Sequence, residues 1–291
     1  MDIQEKQLKE IQDFIDRMPS LSTTVTKVLE VCNTPNTAAN DLNRVISLDP
    51  VLTGQVLKLI NSAYYSLPNQ ITSLARAIIM LGLNTVKNLA LSTAVIGTLG
   101  KKDSFKSLSM DDYWAHSICV GVTAKALAAT MNVPVAEREE YFVAGMLHDL
   151  GKIPLNNCYP AEYTQVLQLA DLEQGALIKS EMVILGFDHG AAGQLIARKW
   201  QLSENLVETL QFHHDPDSAS EENRKLVATV SLANMYANIF EFGSAGDLFP
   251  EGTDLLNILD TMGLTWEDLR SLFQAVNSEV EKAQIFLQVA G

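Results

Sequence analysis

The chain has 291 residues, of which 47% are hydrophobic and 19% are charged, a composition typical of a folded protein with one large core or two smaller ones. Its net charge of −14 argues against a nucleic-acid polymer or an anionic membrane as partner, because both require clustered Lys and Arg. No apolar run reaches the ~20 residues of a membrane span. The start lacks the pattern of a secretory signal, and the three widely spaced cysteines fit free thiols, so a cytoplasmic protein is expected.

The N-terminal third predicts a series of short antiparallel helices. Helix starts are marked by residues that cap helix N-termini or fit the first turn. The candidates are Thr37, Asp49-Pro50, Ser73 and Asn84, and Gly82 is a candidate helix end after Leu74 to Leu81. No stretch alternates apolar and polar residues long enough to predict a sheet, and therefore the expected fold class is all-α.

An aromatic pair, Tyr64-Tyr65, follows one of these predicted helices and precedes Leu67-Pro68. Two interpretations remain open. The pair packs between helices in the ordinary way, or it belongs to a surface through which the N-terminal part contacts a protein partner.

Two polar or glycine-rich breaks divide the chain. Residues 100–104 place a boundary near residues 100 to 110, and residues 242–246 place a second one. We therefore expect an N-terminal helical subdomain at 1–108, a helical core at 109–243 and a helical tail at 244–291. In the tail, Thr265 and Asp268 have the spacing of a capping box. An apolar stripe follows at Leu269, Leu272, Phe273, Val276 and Val280, and either packing or partner docking accounts for it.

The histidines carry the main functional signal. All five lie in the middle of the chain, at His116, His148, His189, His213 and His214, and His148 is followed directly by Asp149. Imidazole and carboxylate together suit first-row transition metals, so this distribution predicts a metal site. The alternative is a set of ordinary hydrogen-bonded histidines.

Helical geometry extends the candidate ligand set. Asp112 and His116 are four residues apart and share one face if they lie on one helix. His148 and Asp149 would point roughly 100° apart on a helix and could serve neighbouring ions, with the carboxylate as a bridge. Lys152 is either an anchor for a bound phosphate or an exposed surface lysine.

The remaining histidines are expected at helix ends. Asp188 looks like the N-cap of a helix that begins at His189, and Pro216 would end the helix that carries His213 and His214. Both members of that histidine pair are therefore expected to be open to solvent.

Two families resemble parts of this pattern. His116 and the His148-Asp149 pair resemble the HD superfamily of metal-dependent phosphohydrolases, and His189 with His213-His214 resembles the fuller ligand set of HD-GYP cyclic-dinucleotide phosphodiesterases. The N-terminal motifs resemble HDOD domains, the HD-related output domains of bacterial signalling proteins. They lie at residues 18–21, 49–50, 61–63, 71–73, 77–78 and 81–83.

The resemblance implies an HD-type helical core preceded by a helical subdomain, and a regulatory role. Two departures argue against a working cyclic-dinucleotide phosphodiesterase. Asn234 stands where HD enzymes place their last metal-binding aspartate, and its amide oxygen can bind a metal without adding charge. The Gly-Tyr-Pro motif is missing after His213-His214.

Three hypotheses follow. The first is a signalling output module that contacts protein partners and has little or no catalysis. The second is a metal-dependent phosphohydrolase or phosphodiesterase acting on a nucleotide or cyclic dinucleotide, in which Lys152 steadies the phosphate. The third is a nucleotide sensor without turnover. In each case one to three divalent transition-metal ions are expected, iron first, with zinc or manganese as alternatives.

Overall fold

The computed structural model describes residues 3–34, 37–99, 106–249 and 252–290, which form helices and connecting turns without a strand. The predicted all-α class is confirmed. The first helices are α1 (Ile3–Arg17), α2 (Thr23–Cys32), α3 (Ala39–Ile46), α4 (Pro50–Ile60), α5 (Leu74–Leu81) and α6 (Leu83–Leu99). The middle helices are α7 (Met110–Thr130), α8 (Arg138–Leu147), α9 (Lys152–Cys158), α10 (Pro160–Glu173), α11 (Leu177–Ile184), α12 (His189–Lys199), α13 (Glu204–Phe212) and α14 (Arg224–Ile239). The last are α15 (Gly252–Met262), α16 (Trp266–Ser271), α17 (Phe273–Ala283) and α18 (Ile285–Ala290).

The N-terminal helices begin where the capping residues predict, with two exceptions. The side chain of Asp49 accepts from the Leu52 amide and that of Ser73 from the Arg76 amide, so both act as N-caps. Thr37 does not cap α3, because its hydroxyl donates to backbone carbonyls at the end of α2. Asn84 is not a cap either, since α6 begins one residue earlier and places it inside the first turn.

Helix α7 lies at the centre of the fold, packed against α8, α14 and α17. Residues on nearly all of its faces are buried, from Tyr113 to Ala128. A helix that is covered all round has no solvent face on which polar side chains can remain hydrated. His116, in the second turn of α7, is therefore inside the protein and needs partners there.

Among the described residues, no single helix is long and apolar enough to cross a membrane. The pair α5 and α6 together satisfies length and hydropathy, but the two helices are bent by 118° at Gly82. Residues on most faces of α6 are buried within the protein, which accounts for its apolar composition.

The aromatic pair of the N-terminal part packs inside the molecule. The ring centroid of Tyr64 lies 5.6 Å from that of Phe142 in α8 and 5.5 Å from that of Phe286 in α18. The Tyr65 hydroxyl donates to Glu139 Oε1 over 2.7 Å. These contacts favour the interpretation that the pair packs between helices, with Tyr64 buried and Tyr65 half-buried.

The C-terminal helices are part of the core. Helix α17 packs on α7, and α18 packs on α4 and α6, where Gln55 Nε2 donates to the Val289 carbonyl over 3.1 Å. Val276 and Val280 of the predicted stripe are buried, so packing explains most of it. The capping box of Thr265 and Asp268 is present. Residues 100–104 of the predicted first boundary lie outside the described residues, and the division into three parts stays a prediction.

Candidate metal centre

Four segments bring the five histidines and Asp149 to one place beside α7. His116 comes from α7, and His148 with Asp149 from the turn that joins α8 to α9. His189 is the first residue of α12, whose N-cap is Asp188 as expected, with Oδ1 accepting from the Ala191 amide. The last two, His213 and His214, follow directly after α13. The ligand atoms fall into two groups that share Asp149.

A close backbone approach makes this convergence possible. The turn of residues 148–151 lies against the start of α12, and a Cβ at Gly151 would overlap the carbonyl group of His189. Glycine at this position therefore lets the turn and helix α12 meet at backbone contact distance. The His-Asp pair and His189 face each other across that contact.

The first group consists of Asp149, His189, His213 and His214. His189 Nε2 lies 3.2 Å from His213 Nε2 and 3.1 Å from His214 Nε2. Asp149 Oδ1 lies 3.3 Å from the Nε2 atom of His189 and 3.6 Å from that of His213. Ligands at ~2.1 Å from a shared ion are ~3.0 Å apart at right angles and ~3.4 Å apart in a tetrahedron. The spacing of this group is that of ligands around one ion.

The second group consists of His116, His148 and Asp149. Asp149 Oδ2 lies 3.2 Å from His148 Nε2 and 3.9 Å from His116 Nε2. Asp149 thus directs one oxygen at each group. The turn, rather than a continuous helix, allows this, because α8 ends at Leu147 and the His-Asp pair follows it.

Outer hydrogen bonds orient three of the rings. His148 Nδ1 faces the Gly145 carbonyl at 2.6 Å, and His213 Nδ1 faces the Thr209 carbonyl at 3.1 Å. His189 Nδ1 lies 2.6 Å from Glu181 Oε2. A hydrogen-bond acceptor beside Nδ1 keeps the ring proton on Nδ1. The lone pair of Nε2 is then available to bind a metal, which is the usual arrangement of metal-binding histidines.

Glu181 is a member of the site that the sequence analysis missed. It is fully buried in α11, and its Oε2 also accepts from the His189 amide over 2.9 Å. Its Oε1 accepts from the Tyr163 hydroxyl over 2.9 Å. Burial by itself would raise the pKa of this carboxyl, but His189 outweighs burial and lowers it. No motif marks Glu181, which lies in an otherwise unremarked helix.

Several buried polar atoms of the cluster find no hydrogen-bond partner within the described part of the chain. They are both ring nitrogens of His116, Nε2 of His148 and Oδ1 of Asp149. A buried polar atom without a partner costs roughly 1–3 kcal/mol. An ion at each group would give partners to Asp149 Oδ1, to His148 Nε2 and to one ring nitrogen of His116, and the donor set of imidazole and carboxylate fits divalent transition metals.

The electrostatics of His116, His213 and Asp149 favour the protonation states that metal binding needs, whereas Glu181 raises the pKa of His189 although burial by itself would lower it. Burial lowers the pKa of His116 to about 3 and that of His213 to about 4, so both rings are neutral at pH 7. Burial by itself would raise the pKa of Asp149, but His148 and Lys152 hold it well below 3.8. Neutral imidazoles and an ionised carboxylate bind a cation without first releasing protons.

The other predicted site residues are distributed differently. Lys152 is fully buried rather than exposed, and its Nζ lies 2.7 Å from Asp149 Oδ2. Asn234 of α14 is buried and close enough to His116 to influence its pKa. Asp112 is not brought to the cluster, because it lies in the exposed first turn of α7.

The expected solvent exposure of the histidine pair was wrong for one ring. His213 is 1% exposed, because α14 packs over the end of α13, while His214 is partly exposed. Both rings line a pocket of about 100 Å³ that also contacts Asn234 and Asp247. The pocket therefore borders the first ligand group at His213 and His214.

The comparison with known families decides the assignment. The HDOD domain profile matches residues 18–216, which covers helices α2 to α13 and every histidine of the centre. The chain belongs to the HDOD family. An uncharacterised protein of Treponema pallidum (strain Nichols) is 25% identical over 277 residues, and this HDOD chain spans about half of that relative's length.

Solved structures of similar proteins share the fold. An HDOD domain protein of unknown function from Geobacter sulfurreducens is 25% identical, covers 96% of this chain and 98% of its own, and superposes with a TM-score of 0.75. A Shewanella amazonensis SB2B protein, provisionally named a phosphohydrolase, is 24% identical with a TM-score of 0.72, covering 97% and 98% of the two chains. A Marinobacter aquaeolei VT8 protein, provisionally named a signal transduction protein, is 20% identical with a TM-score of 0.72, covering 99% of this chain and 65% of its own.

Proposed function

We propose that this HDOD protein is a cytoplasmic output module of bacterial signal transduction whose centre binds divalent transition metal and has little or no hydrolytic activity. The observation that carries this proposal is a converging set of metal ligands beneath a small pocket. The pocket volume of about 100 Å³ is below the ~300–1,000 Å³ typical of small-molecule sites.

Iron is the metal that we propose first. Five imidazoles and one carboxylate form the two groups, and none of the three cysteines belongs to either of them. Nitrogen and oxygen donors with open positions suit iron, and zinc and manganese also accept such donors. Each ion, when bound, would supply a positive charge able to polarise a phosphate or a water molecule.

The burial and ion pair of Lys152 support a centre with little or no catalysis. Its ammonium group is fully buried and pairs with the carboxylate that lies between the two ligand groups. In this position Lys152 balances the negative charge of Asp149, and it does not line the pocket. Asn234 adds no negative charge where HD enzymes have an aspartate, which further weakens the case for turnover.

A metal-dependent phosphohydrolase is the second candidate. The pocket favours it, because His213 and His214 line its wall together with polar residues of α14, including Ser231 and Asn238. A phosphate group entering there would meet the centre directly. The provisional name of the Shewanella amazonensis protein is in line with this alternative, and a nucleotide sensor without turnover would use the same approach.

One experiment separates these functions. The full chain is purified without chelators, its metal content is determined by elemental analysis, and hydrolysis of cyclic dinucleotides and nucleotides is measured with iron, zinc and manganese. We expect bound metal and turnover close to background. Metal-dependent turnover would establish the phosphohydrolase, and nucleotide binding without product would establish the sensor.

We propose that the surface through which this module binds a protein partner lies within residues 1–108. Since Tyr64 is buried and Tyr65 is half-buried, the contact would use more exposed apolar side chains such as Val51 of α4 and Ile79 of α5, which are 70% and 77% exposed. Exposed apolar groups of this size are common at protein interfaces. Ile79→Glu in the full chain should weaken capture of the partner from extract of the source organism, and equal capture by both proteins would place the contact elsewhere.

A further inference from the structure

The segment after α14 is fixed against the metal-binding helix. Gly243 has a φ of +63°, and a Cβ at this residue would collide with the Asp112 carbonyl and with the backbone nitrogen of His116. The Ser244 amide donates to the same Asp112 carbonyl over 3.1 Å, and Ala245 is completely buried. The segment of residues 243–247 is therefore held in one place by helix α7.

This segment delivers the carboxylate of Asp247 to the pocket. Asp247 is only 4% exposed, and its Oδ1 accepts from the Leu177 amide at the start of α11 over 3.2 Å. Its Oδ2 lies 4.0 Å from His214 Nε2. That nitrogen is also the one that lies 3.1 Å from His189 Nε2, so Oδ2 is on the side of His214 that faces the ion site.

Asp247 lies outside the group of Asp149, His189, His213 and His214, whose ligand atoms are all within 4.8 Å of one another, so it would approach the ion from the edge of that group. Its 4.0 Å distance to His214 Nε2 is close to the ~4.2 Å between two ligands on opposite sides of an ion when each is ~2.1 Å from it. A carboxylate held by one oxygen at a helix start, with its other oxygen directed into a pocket beside a histidine ligand, is placed to stabilise a bound cation. No hydrogen bond within the described residues requires Oδ2 to point there.

The two ligand groups carry little negative charge, so a further carboxylate would stabilise bound cations. Within the described residues, Asp149 is the sole carboxylate of the two ligand groups, and Lys152 already pairs with it. Asn234 contributes an uncharged amide. Glu181 adds a second negative charge behind His189, but two dications beside these two carboxylates and Lys152 would still leave the centre positive, which disfavours binding.

On the basis of the proposed metal centre, we propose that Asp247 is an additional carboxylate of that centre, which faces the ion at His189 and His214 from the pocket side. It supplies the negative charge that Asn234 lacks. Asp247 lies beyond the residues matched by the HDOD profile, so this assignment concerns a part of the chain that the family match does not describe.

The test is metal binding by Asp247→Asn in the full chain after removal of bound metal. Asparagine keeps an oxygen for the Leu177 amide, so the variant removes the charge while preserving the cap of α11. Affinities for Zn²⁺ and Co²⁺ are measured by competition with a chromophoric chelator, and the visible spectrum of bound Co²⁺ reports its ligand geometry. Asp260→Asn is the matched control, because Asp260 is exposed and lies on α15 away from the pocket.

We expect Asp247→Asn to lower affinity by about tenfold or more and to change the Co²⁺ spectrum. Adding Asn234→Asp should restore part of the lost affinity, because it returns a negative charge to the same pocket. A loss no larger than that of the control, with an unchanged spectrum, would overturn the role of Asp247 while leaving the metal centre intact. Absence of Zn²⁺ and Co²⁺ binding by the unmodified chain would overturn both.

Discussion

Replacing Glu181 by glutamine tests how the protein orients His189 for metal binding. The carboxylate is fully buried and accepts from the backbone amide of His189 and from the Tyr163 hydroxyl, and Oε2 lies 2.6 Å from His189 Nδ1. Glutamine has nearly the same shape and keeps one acceptor oxygen. The substitution therefore removes the negative charge without leaving a cavity.

The expected loss of metal affinity follows from hydrogen bonds to a charged acceptor that become hydrogen bonds to a neutral one. A hydrogen bond to a charged group contributes about 1.5–3 kcal/mol, compared with about 0.5–1.5 kcal/mol for a neutral one. Weakening the two bonds to His189 removes about 2 kcal/mol, which corresponds to about thirtyfold in affinity. This estimate lies within the about 10–100-fold losses seen when the outer partner of a metal ligand is replaced.

The assay is Zn²⁺ affinity of the metal-stripped chain by chelator competition, with thermal unfolding measured in parallel. Glu173→Gln is the control, because Glu173 is exposed on α10 and makes no contact with the centre. Equal affinity of Glu181→Gln and the control would refute the argument that Glu181 positions His189. Loss of folding without metal would show instead that Glu181 is needed mainly for stability.

Three further predictions concern pH, charge and packing. Burial lowers the pKa of His116 to about 3 and of His213 to about 4, so the unfolded chain takes up protons below pH 6.5 that the folded chain does not. The metal-free protein should therefore lose stability as pH falls from 6.5 towards 4. His189 offsets part of this loss, because Glu181 raises its pKa although burial by itself would lower it. A thermal-unfolding temperature that does not change over this pH range would contradict the prediction. Asn234→Asp should tighten Zn²⁺ binding by adding a negative charge beside His116, and weaker or equal binding in chelator competition would show that the site does not respond to charge at this position. Phe286→Ala should cost about 3–5 kcal/mol in urea unfolding, because this buried ring joins α18 to the core, and a loss below about 1 kcal/mol would show that the tail is not docked.

The sequence predicts the parts of the site that have local signals. The histidines and the His-Asp pair are recognisable because these residue types are uncommon in combination, and Asp188 is recognisable as a cap directly before His189. Asp112 and His116 do lie on one helix, α7, which was the condition for their four-residue spacing to place them on one face. The same spacing failed for Asp112, because periodicity gives the face of a helix and not the depth at which each turn is buried.

The parts that sequence reasoning missed depend on contacts between distant segments. Glu181 lies one turn before the end of α11 and meets His189 only because α11 and the start of α12 fold back on each other. Asp247 reaches the pocket through a segment whose glycine pattern indicated a boundary between domains. Tyr64 and Tyr65 have the composition of a contact surface, and the ring contacts of Tyr64 with α8 and α18 become visible only in the fold.

The most direct test of the metal centre is the metal content of the full chain purified without chelators, compared with that of Asp149→Ala. Asp149 directs one oxygen at each ligand group, so its loss affects both groups at once. We predict stoichiometric transition metal, iron first, in the unmodified protein and near-complete loss in the variant. A metal-free unmodified protein, or equal metal content in a folded variant, would contradict the assignment of these residues as a metal centre.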